Sequence, residues 1–431
     1  MENGFLELIN LLDLYIFEYL IVLIVITAVY YIFCIKKMYG GIFDPLLYSI
    51  ILSIFSISVV VFMYLENSIE KEYLFYSAII TEVFYLIGII FFSKPLKKNI
   101  NLILNERKEN DEYVKNILFY LYTILFFSVN IIFFIFYGIP LFDFNNHVDA
   151  LLANGFIAKL TTATSPILYF LVIDRLINKK TKDVYIIIIG IIIILGLSGS
   201  KGALLNLVFA IYFYHLYSVK FNLNIINLKK IYISCFFIAV VGGVVPFIFG
   251  SISSENASFE TIIGRFALRL VATGDIFAYF YNSNISDFIM DNNNFWNMFI
   301  SYYGATFRIL SYDEINGSIG YQIVKEIYNT AEATAAPNTR HNIWGLVAFG
   351  LYFAPIFSLI IGLLTSFVTR YLYIKLSGLN IYTFLLYIII YFGVTTLAGD
   401  FLFGLDYIIY GMIFNSIIML IVYNVIKILK Y

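Results

Sequence analysis

Runs of about 20 apolar residues recur along this chain, each long enough to cross the hydrocarbon core of a bilayer as a helix. In that solvent a spanning element must satisfy its own backbone polar groups, so such runs fold as helices packed side by side. Eleven spans are read, at 15–35, 45–65, 73–93, 117–137, 156–177, 184–199, 202–219, 231–250, 342–370, 380–400 and 407–426. The expected fold class is an all-α polytopic integral membrane protein. Charged residues make up 13% of the chain, about half the share in a soluble domain. The net charge of −1 exerts no overall pull on nucleic acid. Cys34 and Cys235 both fall inside apolar runs, where they read as packing residues and not as a disulfide framework or metal site. No basic stretch with a short apolar run and cleavage site opens the chain, so the first run is expected to stay as a helix.

Basic residues set the expected orientation, because Lys and Arg gather in short cytoplasmic connections. With the N-terminus outside, 19 of the 27 Lys and Arg residues fall on the inner side, and the C-terminus is cytoplasmic. The longest connection then lies outside, from Ser251 to Arg340. It divides the chain into an N-terminal transmembrane bundle (1–250), a large outer helical loop (251–341) and a C-terminal bundle (342–431). Within the loop, Phe259–Phe280 reads as a helix whose Thr261, Arg265, Arg269 and Thr273 share one face. Phe295–Ser311 and Ser318–Tyr328 read as further helices, and Pro337 precedes the ninth span.

Three stretches carry candidate chemistry. Ser198-Gly199-Ser200-Lys201-Gly202 punctuates an apolar region at the outer end of the sixth span and puts Lys201 in the first turn of the seventh. A helix N-terminus exposes unpaired N–H groups that favour anions, and the lysine adds charge. The same residues also suit a plain tight turn reaching lipid headgroups. Arg265 and Arg269, one turn apart on an apolar helix, can grip a diphosphate with bidentate hydrogen bonds; headgroup anchoring, or pairing with Glu255, Glu260 or Asp275, explains them equally well. In Pro337-Asn338-Thr339-Arg340-His341, Asn338 or Thr339 is placed to cap the ninth span, with Arg340 and His341 in its first turn. An imidazole beside a helix N-terminus is pushed toward the neutral form that accepts a proton. It could serve as a general base on a hydroxyl, with Asp275 the acidic alternative; a structural histidine is the competing reading.

These features together resemble the Wzy-type O-antigen and capsule repeat-unit polymerases, relatives of the O-antigen ligases. The resemblance rests on the small-residue turn Ser198–Ala203, the long outer loop with Arg265 and Arg269, and the helix leaving the loop, punctuated by Asn338, Gly345, Gly350 and Gly362. Lys201 stands where the family usually has arginine, which keeps the charge but loses the fork geometry. The resemblance implies a glycosyltransferase-C-like bundle at the outer face of the bacterial inner membrane. It would polymerise undecaprenyl-diphosphate-linked oligosaccharide units into O-antigen or capsular polysaccharide, with no metal and no cofactor. Arg265, Arg269, Lys201 and Arg340 would hold the diphosphate, Ser198, Ser200 and Gly202 would support the site, and His341 or Asp275 would take the acceptor proton. Implied partners are membrane lipids, the lipid-linked saccharide and a chain-length regulator protein, with no nucleic acid. A flippase or transporter of the same lipid-linked sugars, a membrane O-acyltransferase and a receptor without chemistry are the competing classes. The transporter reading expects charges inside the spans along a path.

Overall fold

The computed structural model describes residues 4–36, 43–92, 109–139, 155–178, 182–198, 203–220, 271–281, 283–306, 309, 318–328, 337–372 and 380–429. These residues are mostly helical, joined by short turns and connecting segments such as 337–340, with no strand among them. In chain order the helices are α1 (Gly4–Leu14), α2 (Ile16–Tyr30), α3 (Pro45–Leu65), α4 (Glu72–Phe91), α5 (Glu109–Tyr137), α6 (Gly155–Asn178), α7 (Lys182–Leu197) and α8 (Ala203–Lys220). They continue with α9 (Asp275–Phe280), α10 (Ser283–Asn292), α11 (Phe295–Thr306), α12 (Ile319–Tyr328), α13 (His341–Ser366), α14 (Ile381–Thr396) and α15 (Phe401–Leu429). π-Helical turns, Tyr31–Ile35 and Phe367–Leu372, extend α2 and α13.

Seven of the described helical segments are long and apolar enough to cross a membrane, so the chain is an α-helical, multi-pass membrane protein. Its surface agrees: Phe17, Ile24, Ile135, Phe136, Ile186, Tyr352 and Ile428 all face outward, where lipid and not water suits them. The expected span at 231–250 lies outside the described residues.

Local chemistry sets several helix ends. Asp44 caps α3 by accepting from the Leu46 N–H at 2.9 Å, with Pro45 at the first helical position, where its missing N–H costs nothing. Asn380 caps α14 through the Thr383 N–H.

One end of the bundle gathers basic residues. There Lys115 bonds Asp174 at 2.7 Å, Arg175 meets Asp183, Phe92 lies against Tyr371, and Tyr382 against Tyr423. The opposite end is covered by helices of the long connection. α10 is tied down by Lys71–Asp287 at 2.6 Å, and α11 by Tyr302 donating to Asp406. Lys159 also reaches Asp406, at 3.1 Å, while lying over the rings of Tyr302 and Tyr410.

The expected single span at 342–370 is corrected by the structure. Gly350 has φ 73° and ψ 176°, a conformation that is essentially glycine-only, and it reverses the chain. His341 and Ser358, 17 residues apart, are in hydrogen-bond contact at 2.9 Å, whereas a straight helix would hold them about 25 Å apart. Trp344 stacks on Phe357, and a Cβ on Gly345 would meet Phe357 at 2.9 Å. α13 is therefore a helical hairpin: a short arm, 341–349, about 13 Å long, folded against a long arm, 351–366. The long arm packs on α4 at very short range, where Gly88 and Gly362 let the two backbones touch. Small residues at such crossings replace the hydrophobic driving force that lipid does not supply.

Candidate functional site

The hairpin decides where the chain 337–342 ends up. Its short arm begins inside the bundle. Asn342 donates to Thr81 Oγ1 and Glu82 Oε2, both at 3.0 Å, so it lies level with the middle of α4. The His341 N–H bonds to the carbonyl of Ala398 at 3.1 Å, which places the α14–α15 turn at the same depth. α14, about 24 Å long, is shorter than the roughly 30 Å hydrocarbon core. Arg340, His341 and Asn342 are each at most 3% exposed.

Around these residues is a polar cluster held by four elements. Glu82, on α4, accepts from Tyr30 of α2 and from Asn342. His341 Nε2 stands 3.2 Å from Glu82 Oε2, an ionic contact without good hydrogen-bond alignment. Its other ring nitrogen, Nδ1, meets Ser358 Oγ on the long arm at 2.9 Å, and its ring lies 4.6 Å from that of Tyr85. Arg340 Nη2 donates to Ser53 of α3, and Arg340 Nε has no partner. Thr339 Oγ1 also lacks a partner, and the N-cap position is Arg340, with no side-chain cap bond. The expected cap by Asn338 or Thr339 is thus corrected: Thr339 and Arg340 are buried, Asn338 is exposed, and neither the Asn338 nor the Thr339 side chain caps the helix.

Chemically, the imidazole lies between a carboxylate and a hydroxyl, so it can take up a proton and be stabilised as the cation by Glu82. The guanidinium beside it is a second positive centre. A charge of either sign is expensive at this depth unless paired, and here Glu82 faces the Arg340 charge and would balance an imidazolium formed at His341.

The remaining sequence candidates fall in different places. Asp275 opens α9 after the 3-10 turn Ala272–Gly274, which packs on α3. A Cβ on Gly274 would strike Val59, and Thr273 Oγ1 reaches Leu52 O at 3.5 Å. Asp275 and Arg340 are thus brought to the same stretch of α3, around Ser53. Ser198 spends its hydroxyl on the Leu195 carbonyl at 2.8 Å, a bond within its own helix end. Ser200, Lys201, Gly202, Arg265 and Arg269 lie outside the described residues.

Sequence reasoning missed Glu82, Tyr30, Ser53 and Ser358. One signal for the first was available: an ionisable residue in the middle of an apolar span marks a functional or paired position. Among the described residues, no three or more His, Cys, Asp or Glu side chains group so as to hold a metal ion. No family model, no curated protein and no solved structure matches the chain.

Proposed function

We propose that this chain is a metal-independent glycosyltransferase that joins lipid-diphosphate-linked oligosaccharide units at the non-cytoplasmic face of the membrane, as the Wzy-type polymerases do. The observation that carries the reading is the buried Arg340–His341–Glu82 cluster at the start of a half-helix, with Arg340 Nε unpartnered. In the transfer, an acceptor hydroxyl attacks the anomeric carbon of the donor. The new C–O bond forms as the C–O bond to the diphosphate breaks, and the diphosphate leaves with the electron pair. Arg340 stabilises the departing charge, and His341 takes the hydroxyl proton with Glu82 balancing the imidazolium. His341 is fully buried, so the reaction requires the short arm of α13 to move; Gly350 is where it pivots. Arg265, Arg269 and Lys201 are proposed to complete the diphosphate grip.

The test is made in a strain carrying only the variant gene. Arg340→Ala is expected to leave single repeat units on the surface and to cost about 10²–10³ in transfer rate, with Arg340→Lys recovering part of it. Long chains made at the normal rate by Arg340→Ala, at equal protein level, would sink the proposal.

A second reading, translocation of the same lipid-linked saccharide, draws on the half-helix and on the charges at Glu82, His341, Lys159 and Asp406 within the candidate spans. Discontinuous helices with charged sites near the midplane are a transporter trait. Loss of a translocator leaves no units on the surface, where loss of a polymerase leaves single ones.

A further inference from the structure

Arg370 sits in the π-helical turn Phe367–Leu372 that ends the long arm of α13, toward the basic end of the bundle. It is 5% exposed, and both Nε and Nη2 are buried without a hydrogen-bond partner. Those two nitrogens form one edge of the guanidinium, and their N–H bonds point out side by side. That edge is the one that binds two oxygens of a single oxyanion at once. Arg340 differs, because its Nη2 is already spent on Ser53.

The surroundings are built and polar. Asp44, 2% exposed at the cap of α3, accepts from Tyr391 Oη at 2.7 Å and from the Leu46 N–H at 2.9 Å. Tyr212 Oη is 3.1 Å from Tyr391 Oη, so three elements contribute to one hydroxyl–carboxyl chain. Arg370 is close enough to act electrostatically on both Asp44 and Tyr212, yet it makes no ion pair with Asp44 within 4 Å. Burial pushes the Asp44 carboxyl up from its usual range, against the lowering effect of its hydrogen bonds and of the Arg370 charge. A guanidinium left with its Nε–Nη2 edge unpaired in the interior is costly. π-Turns of this kind also recur at functional positions.

We infer that Arg370 is the core of an oxyanion site at the basic end of the bundle, taking a phosphate group through Nε and Nη2, with the Tyr391–Tyr212–Asp44 hydroxyl and carboxyl groups beside it. The phosphate belongs to a membrane lipid headgroup, since the turn closes the apolar segment that ends at Leu372. This site stands about three turns along the long arm from Ser358, the contact of His341, and does not depend on glycosyl transfer.

The experiment uses the full chain purified in detergent and measures ligand-dependent thermal stabilisation and bound lipid by native mass spectrometry. The probes are phosphatidic acid, phosphatidylcholine and inorganic phosphate. The wild-type chain is expected to bind phosphatidic acid about 10-fold or more tightly than Arg370→Gln does, the worth of a charge-assisted pair of hydrogen bonds. Arg370→Lys, which keeps the charge and loses the fork, is expected to fall near Arg370→Gln; it also serves if the glutamine variant fails to fold. Equal protection by inorganic phosphate would assign the same site to a soluble phosphate. Binding of phosphatidic acid unchanged in both variants would overturn the inference, as would a preference for phosphatidylcholine.

Discussion

Lys115 shows what a single buried charge demands of its neighbours. Its side chain is 4% exposed and is held by Asp174 at 2.7 Å and Glu112 at 2.9 Å, with Asn178 fixing the other Asp174 oxygen. Removing one member of a buried pair costs about 3–5 kcal/mol because the other charge stays behind. Asp174→Ala is therefore expected to lower the unfolding temperature in detergent, toward the smaller end of that range because Glu112 remains. The double variant Lys115→Met/Asp174→Leu should regain most of the loss, and a double variant no better than the single would show that the charges do not act as a pair. Asp400 offers a pH-dependent counterpart. Its carboxyl caps α15 through the Phe403 N–H at 3.0 Å, while burial, aided by Asp406, pushes its pKa up to about 6. A carboxyl raised in the folded state stabilises the fold at low pH, and that contribution is lost as pH rises from about 4, its unfolded value, through about 6. Asp400→Asn keeps the cap and removes the ionisation. It should match the wild type below about pH 4 and melt at a higher temperature at pH 8; equal melting temperatures at pH 8 would refute the assignment.

At the scale of elements, the α13 hairpin carries the architecture, and Gly350 and Gly362 carry the hairpin. No atom lies within 4 Å of a Cβ placed on Gly350, so Gly350→Ala tests backbone strain alone. The cost expected is about 1–3 kcal/mol. Gly362→Ala tests packing instead, since its Cβ would stand 2.2 Å from the Tyr85 carbonyl; overpacking of this kind costs about 1–3 kcal/mol. Both variants should lower the unfolding temperature, and Gly362→Ala should also weaken function by moving Tyr85 and Glu82 relative to His341. A fully stable Gly362→Ala chain would mean that α4 and the long arm are not in contact.

Most of the described long helices were legible in sequence, but not all of their ends: α5 starts at Glu109 where 117 was read, α15 at Phe401 where 407 was read, and α1 was not read. The apolar run read at 45–65 is α3, bounded by Asp44 and Pro45, and the run at 73–93 is α4 within a residue or two. The reversal at Gly350 was not legible, because apolar residues continue on both sides of it and hydropathy cannot see a change of direction. Arg340 and His341 were found as a pair, but their partners were not. Glu82, Ser53 and Ser358 are distant in sequence and sit in runs whose period says only that they are helical. The hairpin is what makes them neighbours.

For the molecule as a whole, the asymmetry between the two ends is the fact with most reach. One end carries the ion pairs Lys115–Asp174 and Arg175–Asp183. The other carries the capping helices α10–α12 and the descent toward Arg340 and His341. Positive residues beside short connections tend to be retained in the cytoplasm, and the proposed function requires the ion-paired end to face inward and the capped end to face out. A chain in which Cys34 and Cys235 are both replaced by serine allows this to be read directly. Asn67→Cys, in the turn between α3 and α4, should react with a membrane-impermeant maleimide in intact cells. Lys427→Cys, at the end of α15, should react only after permeabilisation. The reverse pattern would turn the half-helix and its buried His341–Glu82 pair toward the cytoplasm, where lipid-linked donors would have to be met before export, and glycosyl transfer at the outer face would have no site to occur in.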